Sequence, residues 1–347
     1  MKIGLFDHVE YGERPMAQLF DERLKFAEAA DAAGFYCLHV AEHHATPLNM
    51  VPVPGAYLGA VARVTKRMRL GPLVYLLPLY SPLRLVEEIC MLDHLSHGRL
   101  DVGVGRGVSP YELKYHKVEH DQSREIFIDA FNCISAALTT DTLTYKGEHF
   151  TYENVPIALR PLQQPYPPFW YGSSNEIGST WAGEHGLDFV TLGPAETAKA
   201  NIAAFKAALQ KRGTPANPKP EFSGGAAIGV QRHIFVADTD AEAVRFAKPA
   251  MDLHLAHLNW LRTKHGQTGL TSRLNVRRGA DFEACVADGT VIAGSPQTVR
   301  AELERQAKEL GINYLLTYLF LGNMTAADAM RSLDLFSKEV MPYLAKL

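Results

Sequence analysis

SPLRLVEEICMLDHLSHGRLDVGV, residues 81–104, reads as one helix followed by one strand. Ser81 is placed to cap the helix and Pro82 suits its first turn; Leu85, Ile89 and Leu92 recur at spacings of four and three, and Gly98 ends it. Arg99 to Val104 then forms a short apolar run of strand type. The same grammar returns in Ser295-Pro296 with Val299, Leu303, Ala307 and Leu310, closed by Gly311. Phe20, Leu24 and Ala27, closed by Gly34, mark a third helix, and Ile126, Ala130, Phe131, Ile134 and Leu138 a fourth.

Working outward, eight strands are predicted: Lys2 to Asp7, Tyr36 to Ala41, Met68 to Leu77, Arg99 to Val104, Pro168 to Gly172, Leu187 to Leu192, Ala226 to Ala237 and Asn313 to Phe320. Strands that alternate with helices predict a parallel sheet wrapped by helices. Eight such units in 347 residues with no linker fit a closed (β/α)8 TIM barrel better than an open doubly wound sheet. Two stretches stand outside the count. The first, Thr142 to Pro167, carries Pro161, Pro165 and Pro167 and reads as an irregular excursion; within the count, Val108 to Val118 after the fourth strand reads as a loop. Residues 254–294, with Gly266, Gly269, Gly279 and Gly289, read as an insertion or lid.

Composition narrows the function classes. With 35 basic against 38 acidic residues and no basic run, the chain lacks the face that nucleic acid or an anionic membrane requires. No stretch approaches the roughly 18 apolar residues of a membrane span. Cys37, Cys90, Cys133 and Cys285 form no C-x-x-C pair and read as reduced thiols, and no signal peptide follows Met1, so a cytoplasmic protein is expected.

In a barrel of this type the reactive groups follow the strands. Glu42-His43-His44 after the second strand is either a hydrogen-bonded structural cluster or a catalytic one. Zinc at His43 and His44 lacks a third ligand, and no metal is expected there. Gly103-Val104-Gly105-Arg106-Gly107 after the fourth strand is either a tight turn or a phosphate grip, with glycines letting the backbone approach and one guanidinium fork. It is not the dinucleotide fingerprint. Gly172-Ser173-Ser174-Asn175, with Ser179 a turn later, caps a helix that runs to His185, and a helix start of this kind also offers backbone N–H groups to an anion. His94 and His97 complement a helix C-terminus, and the tryptophans read as packing.

Taken in order, Ala41-Glu42-His43-His44, Leu77-Pro78, Ser81 to Arg84, Leu92 to Arg99, Gly103 to Gly107, Tyr145 to Phe150, the Gly-Ser-Ser helix start and Gly294-Ser295-Pro296 resemble the bacterial luciferase-like flavin monooxygenases over nearly the whole chain. The resemblance implies one luciferase-like barrel domain over residues 1–347 that uses reduced FMN and O2 to oxygenate a small organic substrate. The reduced flavin would come from a separate NAD(P)H:flavin reductase, and relatives are often homodimers. It implies His43 as the catalytic histidine; Glu42 or His44, its neighbours in sequence, would fix its tautomer. Arg106, flanked by Gly105 and Gly107, would hold the FMN phosphate with Ser173, Ser174 and Ser179. Leu73 and Val74 fall where relatives carry a cis peptide beneath the ring. Ser81 and Gly105 stand where the light-emitting enzyme has a second histidine and a reactive cysteine, which points to a monooxygenase without luminescence. Its alternatives are an F420-dependent oxidoreductase transferring hydride, a non-catalytic flavin-binding protein, and a metal-dependent barrel hydrolase.

Overall fold

Short runs that bury every residue need hydrogen-bonded neighbours on both edges, and a closed ring of parallel strands supplies them. In the computed structural model, which describes residues 1–266 and 281–347, the strands are β1 (Lys2–Asp7), β2 (Cys37–Val40), β3 (Arg69–Pro72), β4 (Tyr75–Leu76), β5 (Val102–Gly105), β6 (Thr142–Lys146), β7 (Thr151–Pro156), β8 (Phe169–Ser173), β9 (Asp188–Thr191), β10 (Ile228–Val236), β11 (Val291–Gly294) and β12 (Tyr314–Tyr318). The main sheet is ordered β3-β2-β1-β12-β10-β9-β8-β5-β4 with parallel pairings throughout. Its two ends, β3 and β4, are halves of one stretch broken at Leu73–Val74, whose peptide bond is cis, so the ring closes as eight barrel strands.

The helix signals hold in detail. Pro82–Leu95 buries Leu85, Val86, Ile89 and Leu92, and Pro296–Leu310 is capped by Ser295 and closed by Gly311 at φ 60°. Met16–Ala33 ends at Gly34, φ 89°, where a left-handed residue is required. Ser81 occupies the cap position of its helix without a capping bond.

Three readings change. Thr142 to Pro167 contains the antiparallel hairpin β6–β7, which the prolines of its second half conceal. Val108 to Val118 contains a helix, Pro110–Tyr115, capped by Ser109. Within 254–294, His254 lies inside the long helix Asp240–Lys264, residues 282–287 are helical, and β11 adds to the upper half of β10. Residues 267–280, the centre of the expected lid, lie outside the described residues.

Two cores result. The larger fills the space between strands and helices. The smaller unites Leu73, Trp170, Val190, Tyr314 and Leu316 from strands spread around the ring, which only the barrel lumen allows. His39 on β2 meets Trp170 on β8 at 4.8 Å, and Trp170 meets Tyr314 on β12 at 5.0 Å.

Candidate active site

Side chains two apart on a strand share a face, so the lumen residues predict what stands above them. Phe6 leads to His8, Leu316 to Tyr318, Gln231 to His233, Trp170 to Gly172 and Gly103 to Gly105. The mouth is therefore two-sided. On the β1, β10 and β12 side, His8 lies 5.4 Å from Tyr318 and 5.6 Å from His254, and His233 lies 4.9 Å from His254. On the β5 and β8 side stand glycines. A Cβ at Gly172 would meet nothing within 4 Å, so the space above the Trp170 floor is open. Gly105 serves its neighbour instead, since a Cβ there would lie 2.4 Å from a Val74 methyl, and one at Gly103 would lie 2.3 Å from the Pro72 carbonyl. Gly107 has φ 85°, the left-handed turn that lets the chain leave the barrel after Arg106.

His43, at the end of β2, stacks on His8 with ring centroids 5.5 Å apart. Its Nδ1 faces both Glu112 carboxylate oxygens at 3.2 and 3.3 Å, and Glu112 also accepts the His44 backbone N–H at 2.9 Å. A donor at Nδ1 leaves Nε2 for a ligand, and the side chain remains 23 % exposed. Burial opposes the imidazolium, yet Glu112 and, farther off, Glu42 outweigh it and raise the His43 pKa above its ordinary value. Burial pushes the Glu112 carboxyl the other way, but His43, the His44 N–H and Ser109 hold it below the usual carboxylate value.

The expected partners of His43 are engaged elsewhere. Glu42, fully buried, bonds His44 Nε2 at 2.8 Å and accepts from the Leu76 N–H at 2.9 Å and the Tyr80 hydroxyl at 3.0 Å. Glu42 and His44 thus brace the β2 end against β4, and Glu112 orients His43. His43 and His44 point at different carboxylates and share no metal-ligand geometry among the described residues.

Arg106 and Ser173 leave adjacent strands at one height, because Val104 pairs with Tyr171. Ser173 faces away from the lumen: its hydroxyl donates to the Asn175 carbonyl at 2.8 Å, and it packs on Gly178 of the helix Glu176–His185. Ser179 is buried and also donates to that carbonyl, at 2.8 Å. Ser174 takes no part in these bonds and is half-exposed. Asn175 caps the helix by accepting from the Gly178 N–H at 3.1 Å.

The profile of the family described as luciferase-like monooxygenase matches residues 1–314. The chain belongs to that family. As a luciferase-like monooxygenase it is an oxidoreductase. It is 28 % identical over 338 residues to 2,5-diketocamphane 1,2-monooxygenase 1 of Pseudomonas putida, covering 90 % of each chain. It is 28 % identical over 257 residues to the oxygenase component of the flavin-dependent trigonelline monooxygenase of Acinetobacter baylyi, covering 70 % of this chain and 67 % of that one. In fold it matches the monooxygenase RslO1 of Streptomyces bottropensis with a TM-score of 0.86, 23 % identity and 99 % coverage of both chains. The oxygenating constituent of Pseudomonas putida 3,6-diketocamphane monooxygenase, solved with FMN, follows at 0.79, 22 %, and 99 % and 98 % coverage.

Within this luciferase-like site, sequence reasoning passed over Glu112, His8, Glu10 and His254. His8-Val9-Glu10 follows β1 as Glu42-His43-His44 follows β2, so the rule that marked one strand end marks the other. Glu112 sits in a six-residue helix within a connecting loop, too short for a periodicity to develop.

Proposed function

We propose that this luciferase-like chain is the oxygenase component of a two-component system. Reduced FMN would come from a separate NAD(P)H:flavin reductase, and a small organic substrate would be oxygenated with O2. The observation that carries the reading is the open lumen above Trp170, bounded by the Arg106 strand end on one side and the His43–Glu112 pair on the other. Bound reduced flavin supplies the oxygen activation; the chain supplies position, proton control and exclusion of water.

Arg106 presents a planar fork suited to a phosphate, supported by Ser174 and the first backbone N–H groups of the helix Glu176–His185. Ser173 and Ser179 support that helix start through the Asn175 carbonyl. Leu73 and Val74 form the apolar bed for the ring, and Gly105 makes room for Val74. His43 holds a proton at Nδ1 against Glu112 and accepts or returns one at Nε2. Glu42 and His44 keep the β2 end rigid beneath it. A cytoplasmic homodimer is the expected form. Four buried cysteines outside any disulfide fit a reducing compartment, and no helix of the described residues is long and apolar enough to cross a membrane.

Anaerobic titration of the apoprotein with reduced FMN and with reduced F420, followed by air, tests the reading. Saturable binding of FMN that weakens in Arg106→Ala, with oxygen-dependent product formation, is expected. Preference for F420 with turnover in the absence of O2, or FMN affinity indifferent to Arg106→Ala, would overturn it.

A further inference from the structure

The imidazole side of the mouth contains a cluster that the flavin reading does not use. His8 and Glu10 follow β1, and His254 projects from the helix Asp240–Lys264. One ring nitrogen from each histidine and one Glu10 oxygen all lie within 4.8 Å of one another. Glu10 is fully buried, His254 is 2 % exposed and His8 9 %. His254 Nδ1 contacts Glu10 Oε1, Glu10 Oε2 accepts the Gly322 N–H at 2.5 Å, and His8 Nδ1 has no hydrogen-bond partner. A buried imidazole nitrogen without a partner is unfavourable, and a ligand at that atom removes the cost.

We propose that His8, Glu10 and His254 bind one divalent transition-metal ion of the zinc class. Two imidazoles and one carboxylate are borderline donors that select zinc, cobalt or ferrous iron over calcium and magnesium, which prefer oxygen alone. Zinc bonds of about 2.0–2.1 Å in a tetrahedron hold ligand atoms roughly 3.4 Å apart, so the cluster needs only small side-chain rotations to close on an ion. Second-layer support is already present: the Gly322 N–H orients Glu10. Between the two β1 ligands, Val9 sits at φ 52°, a conformation costly for a β-branched residue, held by the Asp7 carboxylate accepting its N–H at 2.7 Å. Three protein ligands leave a fourth position for water or for an oxygen atom of a small organic molecule. His8 stacks on His43, so that position lies within the same mouth.

The test uses full-length protein without a histidine tag, stripped with a chelator and free of flavin. Its failure therefore leaves the flavin reading untouched. Titration with Co2+ is expected to give a visible absorption band of a low-coordinate site, and dialysis against Zn2+ one retained equivalent. Glu10→Gln, which keeps the shape and an acceptor for Gly322, weakens Zn2+ binding at least tenfold, as does His254→Gln. Should His254→Gln fail to fold by circular dichroism, Glu10→Gln and the cobalt spectrum decide. Glu148→Gln with His149→Gln, in the exposed cluster of Glu125, Glu148 and His149, is the control and leaves binding unchanged. A cobalt spectrum identical to the free aqueous ion, Zn2+ binding that survives Glu10→Gln, or binding abolished by the control pair would overturn the proposal.

Discussion

The two ends of the barrel lumen bury ionisable groups in opposite ways. At the amino-terminal end, Asp101 accepts from Arg69 at 2.7 Å and lies 3.4 Å from Lys219, which pairs with Asp188 at 2.8 Å. Two positive and two negative groups cancel, and Lys219 lies 4.9 Å from the Trp170 ring. At the carboxyl end imidazoles and carboxylates face one another in pairs, Glu112 with His43 and Glu42 with His44, and the His43 side chain remains partly open to the mouth. Burial and the nearby His43, His254 and His233 push His8 well below its ordinary value. One end is a neutral plug whose charges have permanent partners. The other keeps proton-carrying groups available, as barrel enzymes do at this end.

The strongest way to break this contrast is Asp101→Ala. It leaves Arg69 and Lys219 without their shared carboxylate, and a loss of about 3–5 kcal/mol in denaturant unfolding is expected. If stability changes little, the lower end is not a plug. His43→Ala should do the reverse, lowering product formation by about 10²-fold or more with a small change in stability; steady-state rates beside melting curves read both. Arg106→Ala is expected to weaken reduced-FMN binding by roughly tenfold or more, since a charge-assisted hydrogen bond contributes about 1.5–3 kcal/mol. Unchanged affinity would remove the phosphate from that strand end.

Two pH measurements sharpen the contrast further. For Asp101, burial works to raise the pKa, but Arg69 and Lys219 prevail and hold it at about 2, below the ordinary 3.8. Its contribution to stability is present above pH 3.8 and is lost as pH falls toward about 2, so Asp101→Asn should flatten the acid limb of the stability curve. The smallest effect is at the mouth. Glu112→Gln removes the Coulombic support of His43 while burial remains, so the imidazole midpoint, followed by NMR, moves to lower pH. A midpoint that stays put would mean that Glu112 does not control His43.

Local pattern made much of this legible. Apolar spacing with Ser-Pro starts and glycine stops marked the helices, because each signal resides within a few residues. Arg106, the Asn175 cap and the Glu42-His43-His44 triplet were found by their place after strands. Met68 to Leu77 reads as one strand and is two, since the break at Leu73–Val74 depends on Gly103 and Gly105 of the neighbouring strand. Pairing across the ring is equally invisible from within a segment. Glu112 reaches His43 across 69 residues, and Glu10 reaches His254 across 244.

Sequence alone therefore determined the order of the barrel's own strands, the barrel class and most of the residues that stand at strand ends, because these follow from periodicity and chain stiffness over short distances. Only the tertiary structure decided which carboxylate faces which imidazole, which serines are tied to the Asn175 carbonyl, and which half of the mouth is open. Those outcomes depend on closure of the ring, which brings strand ends distant in sequence to one height and leaves open space at Gly172, above Trp170.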